Sequence, residues 1–225
     1  MDTLIYPSIA KGTSYHKDTN GWGMDILHVN KTGGCGGLVL YVDGIAYPVR
    51  NEKNPGDPVL TARLLKETSD SVTIEFVAKN VGPKDNPYTV YIRPSAIAGR
   101  KDSPIEVFVE GGKPECTLRI GLTLTVLPTE DFFCDRERGI MGLWGFQDPE
   151  IGWMGMGVIF PADRYLFLDK QPEEHRVVLH YNQGESLWYH IQGDWLRAHQ
   201  FPRSPGMQEW KQTLIKSSLK NPVNQ

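Results

Sequence analysis

The chain has 225 residues, a length that predicts one folded domain whose core needs no disulfide or metal to be stable. Hydrophobic residues make up 40% and charged residues 23%, which excludes extensive disorder. The net charge is -3 and the pI is about 6.1, which excludes the basic surface typical of nucleic-acid-binding proteins. The 23 Gly, 16 Pro, 6 Trp, 9 Tyr and 8 Phe favour an all-β scaffold and suit a sugar-binding site.

Membrane anchoring and a disulfide framework are not predicted. No stretch reaches the roughly 20 apolar residues that a membrane span needs. The sequence 1–6 has neither the basic region nor the apolar region of a signal peptide. Cys35, Cys116 and Cys134 lie far apart and form no CxxC pair, so we expect free buried thiols.

The first half of the chain is predicted to form hairpins. The predicted strands cover residues 38–41, 45–49, 59–66, 72–79, 88–93, 105–109 and 116–127. Asp43-Gly44 is a strong type I′ turn signal, because both turn positions need a positive φ. Pro94 is predicted to end the fifth strand. One face of the seventh strand is apolar, whereas Thr123 and Thr125 on the other face suit a groove.

The second half continues the strands and ends in a helix. The predicted strands cover residues 154–160, 165–168, 177–181 and 187–191. Residues 206–220 contain no Pro and place Trp210, Leu214 and Ser217 or Ser218 on one helical face. No internal repeat or linker marks a boundary. The prediction is a single all-β domain over 1–225, an antiparallel β-sandwich with one C-terminal helix.

A glycine-rich, titratable stretch over residues 12–37 is the first candidate site. His16 could transfer a proton near neutral pH, and Lys17 could hold a substrate carboxylate. Asp18 or Asp25 could act as an acid, a base or an orienting group. The glycines of 33–37 would let backbone N–H groups approach a ligand closely. The alternative is that these are solvated or capping residues of an ordinary loop.

Aromatic residues in the second half are the second candidate site. Their rings could stack on sugars, although such rings are also typical of a sandwich core. The rings are Trp144, Phe146, Trp153, Tyr181, Trp188, Tyr189 and Trp195. Three of them have acidic or amide residues nearby (Glu185, Gln192 and Asp194), which favours a half-exposed groove.

Metal and nucleotide chemistry are not predicted. His180 and His190 are expected on neighbouring strands, but the HxH and HExxH spacings of zinc sites do not occur. A third ligand could come from Asp148, Glu150 or Asp194. There is no phosphate-binding GxxxxGK[ST] loop and no GxSxG nucleophile motif. The pairs Asp148/Glu150 and Asp18/Asp25 could serve glycoside hydrolysis if their separation in space were right.

Several segments together resemble a known bacterial family. Tyr15-His16-Lys17-Asp18, Gly23-Met24-Asp25 and Gly34-Cys35-Gly36-Gly37-Leu38 are similar to the YHKD…GxD…GCGG block of the DUF4861 proteins, frequent neighbours of polysaccharide-degrading enzymes. Less specific matches follow, in the order in which the family has them, at residues 43–48, 98–99, 121–123, 152–158, 188–195 and 209–210. The resemblance covers nearly the whole chain, and its His-Lys-Asp and GCGG block is the most specific part.

The resemblance implies a β-sandwich akin to the galactose-mutarotase-like supersandwich. It also implies a role with uronate- or rhamnose-containing polysaccharide fragments in the periplasm or outside the cell. Family members usually carry further N-terminal strands and an export signal, which are not visible here. The chain is then expected to be a single domain or the C-terminal part of a larger architecture.

The leading hypothesis is a carbohydrate-active enzyme, a hydrolase or lyase of acidic oligosaccharides. In a lyase, His16 or Tyr15 would remove the proton beside the uronate carboxylate and Lys17 would offset the developing charge. In a hydrolase, Asp18 and Asp25 would be acid and base. The predicted substrate-binding residues are Tyr15, Trp144, Trp153, Tyr181, Trp188 and Trp195.

Two other hypotheses remain open, a non-catalytic glycan-binding module and a half-domain that needs a partner chain. The predicted partner is an oligosaccharide, with no nucleic acid, no membrane, no metal and no cofactor. A homodimer is an open alternative.

Overall fold

The computed structural model describes residues 26–50, 56–196 and 206–220. Within these ranges the chain forms two antiparallel β-sheets and one α-helix, which confirms the predicted β-sandwich with a C-terminal helix. The elements are β1 (Leu38–Val42), β2 (Ile45–Pro48), β3 (Val59–Glu67), β4 (Ser71–Val81), β5 (Tyr88–Ile97), β6 (Asp102–Gly111), β7 (Leu118–Thr125), β8 (Thr129–Asp135), β9 (Ile140–Phe146), β10 (Trp153–Ile159), β11 (Tyr165–Lys170), β12 (Glu174–His180), β13 (Leu187–Trp195) and α1 (Met207–Lys220). A short 3₁₀ turn at Ala162–Arg164 precedes β11.

The two sheets differ in width. The five-stranded sheet has the strand order β11-β12-β7-β1-β2, and the eight-stranded sheet has the order β3-β4-β5-β6-β13-β10-β9-β8. The core lies between their inner faces, where alternate side chains of each strand meet. The predicted apolar face of β7 is part of this core, since Leu118, Ile120, Leu122 and Leu124 are all buried.

The predicted hairpins are confirmed. Asp43 and Gly44 have φ values of 50° and 85°, as a type I′ turn between β1 and β2 requires. The second predicted hairpin corresponds to β3 and β4, whose residues pair from Val59↔Lys79 to Glu67↔Val72.

The prediction that Pro94 ends the fifth strand was wrong, and two strands were missed. Strand β5 continues through Pro94 to Ile97. Its pairing with β4 is interrupted at Arg93 and Pro94, so the strand tolerates a proline that has no N–H to donate. Strands β8 and β9 were not predicted. Strand β9 is buried on both faces, so its sequence lacks the alternation that marks a half-exposed strand.

Helix α1 packs on the outer face of the eight-stranded sheet. Its residues Trp210 and Leu214 are buried, as predicted from their helical spacing. Gly155 and Gly157 on β10 lie beneath them, and a Cβ at either glycine would overlap the side chain above it. The indole Nε1–H of Trp210 also donates to the carbonyl of Met156 at 3.2 Å. The helix therefore covers β9 and β10, and within the described ranges no other helix packs on this face.

In the described ranges, no helix is both long and apolar enough to cross a lipid bilayer.

Candidate functional site

Strand β13 presents polar side chains on the outer face of the eight-stranded sheet, beside α1. Its inner residues Tyr189 and Ile191 are in the core, so alternation places the even-numbered residues on the outer face. These are Trp188, His190, Gln192 and Asp194. Gln192 is held by the hydroxyl of Ser217 on α1, which donates to its Oε1 at 2.8 Å. We call this surface, from β13 across β6, β5 and β4 to β3, the polar face.

His190 on the polar face is paired with Asp102 at the start of β6. The distance from Nδ1 of His190 to Oδ2 of Asp102 is 2.8 Å. Nη2 of Arg100 also lies 3.3 Å from Nδ1, but the shorter contact is the one to the carboxylate. Because a carboxylate can only accept, Nδ1 carries the proton and donates to Asp102. Nε of Arg100 also donates to Asp102 (3.2 Å to Oδ1), and its Nη2 contacts the other oxygen at 2.5 Å. Although burial raises the pKa of Asp102, the hydrogen bonds from His190 and Arg100 outweigh it and hold that pKa well below its usual range.

A ladder of alternating charges crosses the polar face from β3 to β13. Glu75, almost fully buried, accepts hydrogen bonds from Nε of Arg63 at 2.7 Å and Nε of Arg93 at 2.8 Å. Nη1 of Arg93 donates to Glu106 at 3.0 Å, and the hydroxyl of Ser186 donates to the other oxygen of Glu106 at 2.6 Å. The bond from Arg93 lowers the pKa of Glu75, burial opposes this, and Arg63 adds to it. The ladder fixes these charged groups in place.

Asp194 differs from the other carboxylates of the polar face because no Lys, Arg or His among the described residues forms an ion pair with it. Only 8% of the residue is exposed, and its Oδ1 accepts the backbone N–H of Trp195 at 2.9 Å. Burial raises the pKa of Asp194 to about 6, against the opposing effects of that hydrogen bond and of the charge of Lys101. Asp194 can therefore exchange a proton in the neutral pH range.

Two of the predicted sugar-stacking tryptophans lie on the outer surface of the same sheet. Trp188 is 39% exposed and lies opposite Glu106, and Trp153 is 36% exposed and contacts the ring edge of Phe146. Trp195 pairs with Met154, the residue next to Trp153. The seven residue steps from Trp188 to Trp195 along β13 therefore separate the two exposed rings by roughly 23 Å. They are thus at opposite ends of the face.

Three other predicted sugar-binding residues, Trp144, Tyr181 and Trp195, are buried. Trp144 contacts Trp210 beneath α1, with ring centroids 6.4 Å apart. The Tyr181 hydroxyl accepts from Val109 N and donates to the carbonyl of Glu185. Nε1 of Trp195 donates to the carbonyl of Ile151. The structure places these three rings in the interior, away from a surface where sugar could stack.

The predicted catalytic residues His16, Lys17, Asp18 and Asp25, and the predicted sugar-binding residue Tyr15, lie outside the described residues.

The glycine-rich segment 33–37 is part of the packing of the sandwich. The N–H of Gly33 donates to Glu174, that of Gly34 to the hydroxyl of Thr32, and that of Gly36 to the carbonyl of Thr123. Gly36 has a φ of 75°, and a Cβ there would overlap Ile191 of the opposite sheet. The expectation that these N–H groups face a ligand was wrong, because the protein's own acceptors bind them.

The groove expected at Thr123 and Thr125 is filled by the same segment. Both threonines are buried, and their hydroxyls contact the carbonyl of Gly34 and the hydroxyl of Thr32. Their polarity therefore serves internal hydrogen bonds.

His180 and His190 do not lie on neighbouring strands. Strand β12, which carries His180, is in the five-stranded sheet, whereas β13 is in the eight-stranded sheet. Within the described ranges no three His, Cys, Asp or Glu side chains are grouped as a metal site would need.

A separate cleft of about 350 Å³ opens between the two sheets near β2 and β3. Its walls are mainly apolar, including Leu60, Phe76 and Ile92, with Glu174 at one side. Both oxygens of Glu174 are already bound, by Gly33 and Arg176. The polar face therefore offers more hydrogen-bonding chemistry than this cleft.

Family and structure comparisons agree with the fold. The family model described as a domain of unknown function (DUF4861) matches residues 4–224, and the chain belongs to this family. A search of curated proteins finds no match.

Among solved structures, a candidate kojibiose phosphorylase from the human microbiome has a TM-score of 0.55 at 8% identity, over 82% of this chain and 25% of that one. This likeness shows a shared fold. A GH36 α-galactosidase from Geobacillus stearothermophilus gives 0.36 at 13% identity, over 75% of this chain and 31% of that one. A candidate aldose 1-epimerase from Klebsiella pneumoniae subsp. pneumoniae has a TM-score of 0.39 at 8% identity, over 92% of this chain and 72% of that one. The chain spans only about a quarter of the phosphorylase and a third of the galactosidase.

Proposed function

We propose that the protein is a carbohydrate-active enzyme that binds acidic, uronate- or rhamnose-containing oligosaccharides on the polar face. The observation that carries the proposal is the exposed ring of Trp188 beside charged groups that are fixed by hydrogen bonds. An indole face stacks on the apolar face of a pyranose, while neighbouring polar groups bind its hydroxyls. Glu106, directly opposite Trp188, is held on both oxygens and would meet such a sugar without moving.

The preference for acidic sugars is supported by cations on the same face. Arg93 uses Nε and Nη1 in the ladder, and its Nη2 donates to no described residue. The Arg63 side chain is 67% exposed at the far end of the ladder. A guanidinium group can bind a substrate carboxylate through its remaining N–H donors.

The chemical step is proposed, from the family-like block, to involve His16, Lys17, Asp18 and Asp25. His16→Ala should reduce turnover on the order of a hundredfold while the melting temperature stays nearly unchanged. Loss of folding, or full retained activity, would contradict a catalytic role for His16.

The binding proposal is tested by calorimetric titration with acidic and neutral disaccharides, with product formation followed separately. Trp188→Ala should weaken binding of an acidic disaccharide about tenfold or more, because the stacking surface is lost. Trp153→Ala is the matched control, since a disaccharide on Trp188 cannot reach a ring roughly 23 Å away. Equal effects of the two substitutions would contradict the placement of the site. Binding without product would identify a non-catalytic glycan-binding module.

A further inference from the structure

His190 forms a histidine–carboxylate pair through Nδ1, and its other ring nitrogen, Nε2, has no hydrogen-bond partner among the described residues. Nδ1 donates to Asp102, and Nε2 makes no hydrogen bond to any described residue. Among the described residues, the buried side-chain atoms that lack a partner are Nη1 of Arg164 and Nδ1 of His175. Nε2 of His190 is not one of them, so this nitrogen reaches the surface although the side chain is only 9% exposed. Its lone pair is free to accept a proton from a ligand.

His175 provides an internal comparison. Its Nε2 is 2.6 Å from Glu130, and its ring packs against Phe132 with centroids 4.0 Å apart. The remaining nitrogen of His175 is sealed inside the sandwich, where a ligand cannot reach it. Both pairs fix a ring, but only the pair at His190 leaves a nitrogen at the surface.

The surroundings of His190 match what a proton-transfer base needs. Asp102, held by Arg100 as well, accepts from Nδ1 and so leaves the lone pair of the neutral ring on Nε2, where it can take a proton. Trp188 lies two residues away on the same strand face, roughly 7 Å along the strand. A sugar that stacks on Trp188 would therefore have a neighbouring ring within reach of His190.

We infer that His190, in place of His16 or Tyr15, is the base that removes the proton in a uronate lyase on the polar face, with Asp102 as its positioning residue. The inference rests on the proposed function. Nε2 takes the proton from the carbon beside the uronate carboxylate, and the C–H electron pair becomes the new C4=C5 double bond. The C4–O glycosidic bond breaks, and its oxygen leaves with the bonding pair and takes a proton from water. The imidazolium then returns its proton to solvent, so protons and charge balance.

The test uses the full chain with an oligouronate, and it measures binding by calorimetry and the conjugated alkene product by ultraviolet absorbance. His190→Gln should reduce kcat on the order of a hundredfold to ten-thousandfold, with KM changed less than threefold. His180→Gln, an exposed histidine on the other sheet, is the matched control and should keep full activity. Circular dichroism shows whether each variant is folded.

A second measurement addresses Asp102. Nitrogen-15 NMR of the wild-type imidazoles should show that the neutral ring of His190 carries its proton on Nδ1. Asp102→Asn should change this tautomer population and lower kcat, a combination that a merely structural role would not produce.

The outcomes separate this inference from the proposed function. Oligouronate cleavage that survives in His190→Gln, or cleavage that forms no alkene, overturns the inference and leaves the proposed function standing. If the wild-type protein neither binds nor cleaves acidic oligosaccharides, both fail together.

Discussion

The outer faces of the two sheets are both rich in polar side chains, but they differ in what satisfies those groups. On the five-stranded sheet, Thr123, Thr125 and Glu174 are buried and bonded to the segment 32–34 or to Arg176. On the eight-stranded sheet, the polar face keeps Nε2 of His190 and Nη2 of Arg93 without a described partner, beside the exposed ring of Trp188. Polarity on a strand face indicates a ligand site only where hydrogen-bonding capacity is left over.

The largest expected effect is at Gly36, where the segment 33–37 packs against the core residue Ile191. Gly36→Ala should lower the free energy of unfolding by about 4 kcal/mol, because its Cβ would overlap Ile191 in a backbone conformation that already disfavours alanine. Chemical denaturation measures this.

Gly44→Ala is the matched control for Gly36. Gly44 has a similar positive φ, but no atom lies within 4 Å of the added Cβ. The substitution should therefore lower the free energy of unfolding by only about 1 kcal/mol. Equal losses for the two variants would show that packing at Gly36 is not tight.

The second prediction concerns Asp194 on the polar face, where a substitution should raise the free energy of unfolding. Its folded pKa of about 6 lies above the unfolded value near 3.9, so its contribution to stability is complete below pH 4 and is lost as the pH rises through 6. Asp194→Asn, which cannot ionise, should therefore stabilise the protein by about 2 kcal/mol at pH 8 and by almost nothing at pH 4. A stability gain that does not depend on pH would contradict the raised pKa.

The third prediction concerns Glu174 on the outer face of the five-stranded sheet. Glu174→Gln should destabilise the protein by about 1 kcal/mol, since the amide oxygen can still accept from Gly33 but the charge that binds Arg176 is lost. Glu185→Gln is the control, because the exposed Arg164–Glu185 pair should contribute less than about 0.5 kcal/mol. Thermal melts at one pH compare the two variants.

The stability effect at Trp188 should be much smaller than that at a fully buried tryptophan. Because 39% of the residue is exposed, Trp188→Ala should lower the free energy of unfolding by about 1 kcal/mol. A loss of about 3 kcal/mol or more, which is typical of a fully buried ring, would show that the ring is a packing element and would remove the basis for the stacking site.

Most of the fold was predictable from alternation and turn chemistry. Strand β7 and the Asp43-Gly44 hairpin had clear local signals, and α1 was marked by its spacing of Trp210 and Leu214. Strand β9 escaped prediction because both its faces are covered, one by the core and one by α1, so no polar face breaks its apolar run. Helix packing over a sheet is a tertiary event that the local sequence does not show.

The candidate site was only partly predictable. The alternation of Trp188, His190, Gln192 and Asp194 on one strand face is visible in the sequence. The partner of His190 is not, because Asp102 lies 88 residues earlier and meets it only through the register of β6 on β13. The role assigned to the glycines of 33–37 was wrong for a similar reason, since their acceptors come from distant strands.

The central claim, that sugar binds on the polar face at Trp188, is tested most directly by NMR of the indole N–H signals during titration with an acidic oligosaccharide. The N–H groups of Trp195 and Trp210 are bonded to the carbonyls of Ile151 and Met156 in the interior and should not shift. The signal of Trp188 should shift in proportion to saturation. A titration that saturates while the Trp188 signal stays in place would contradict the account.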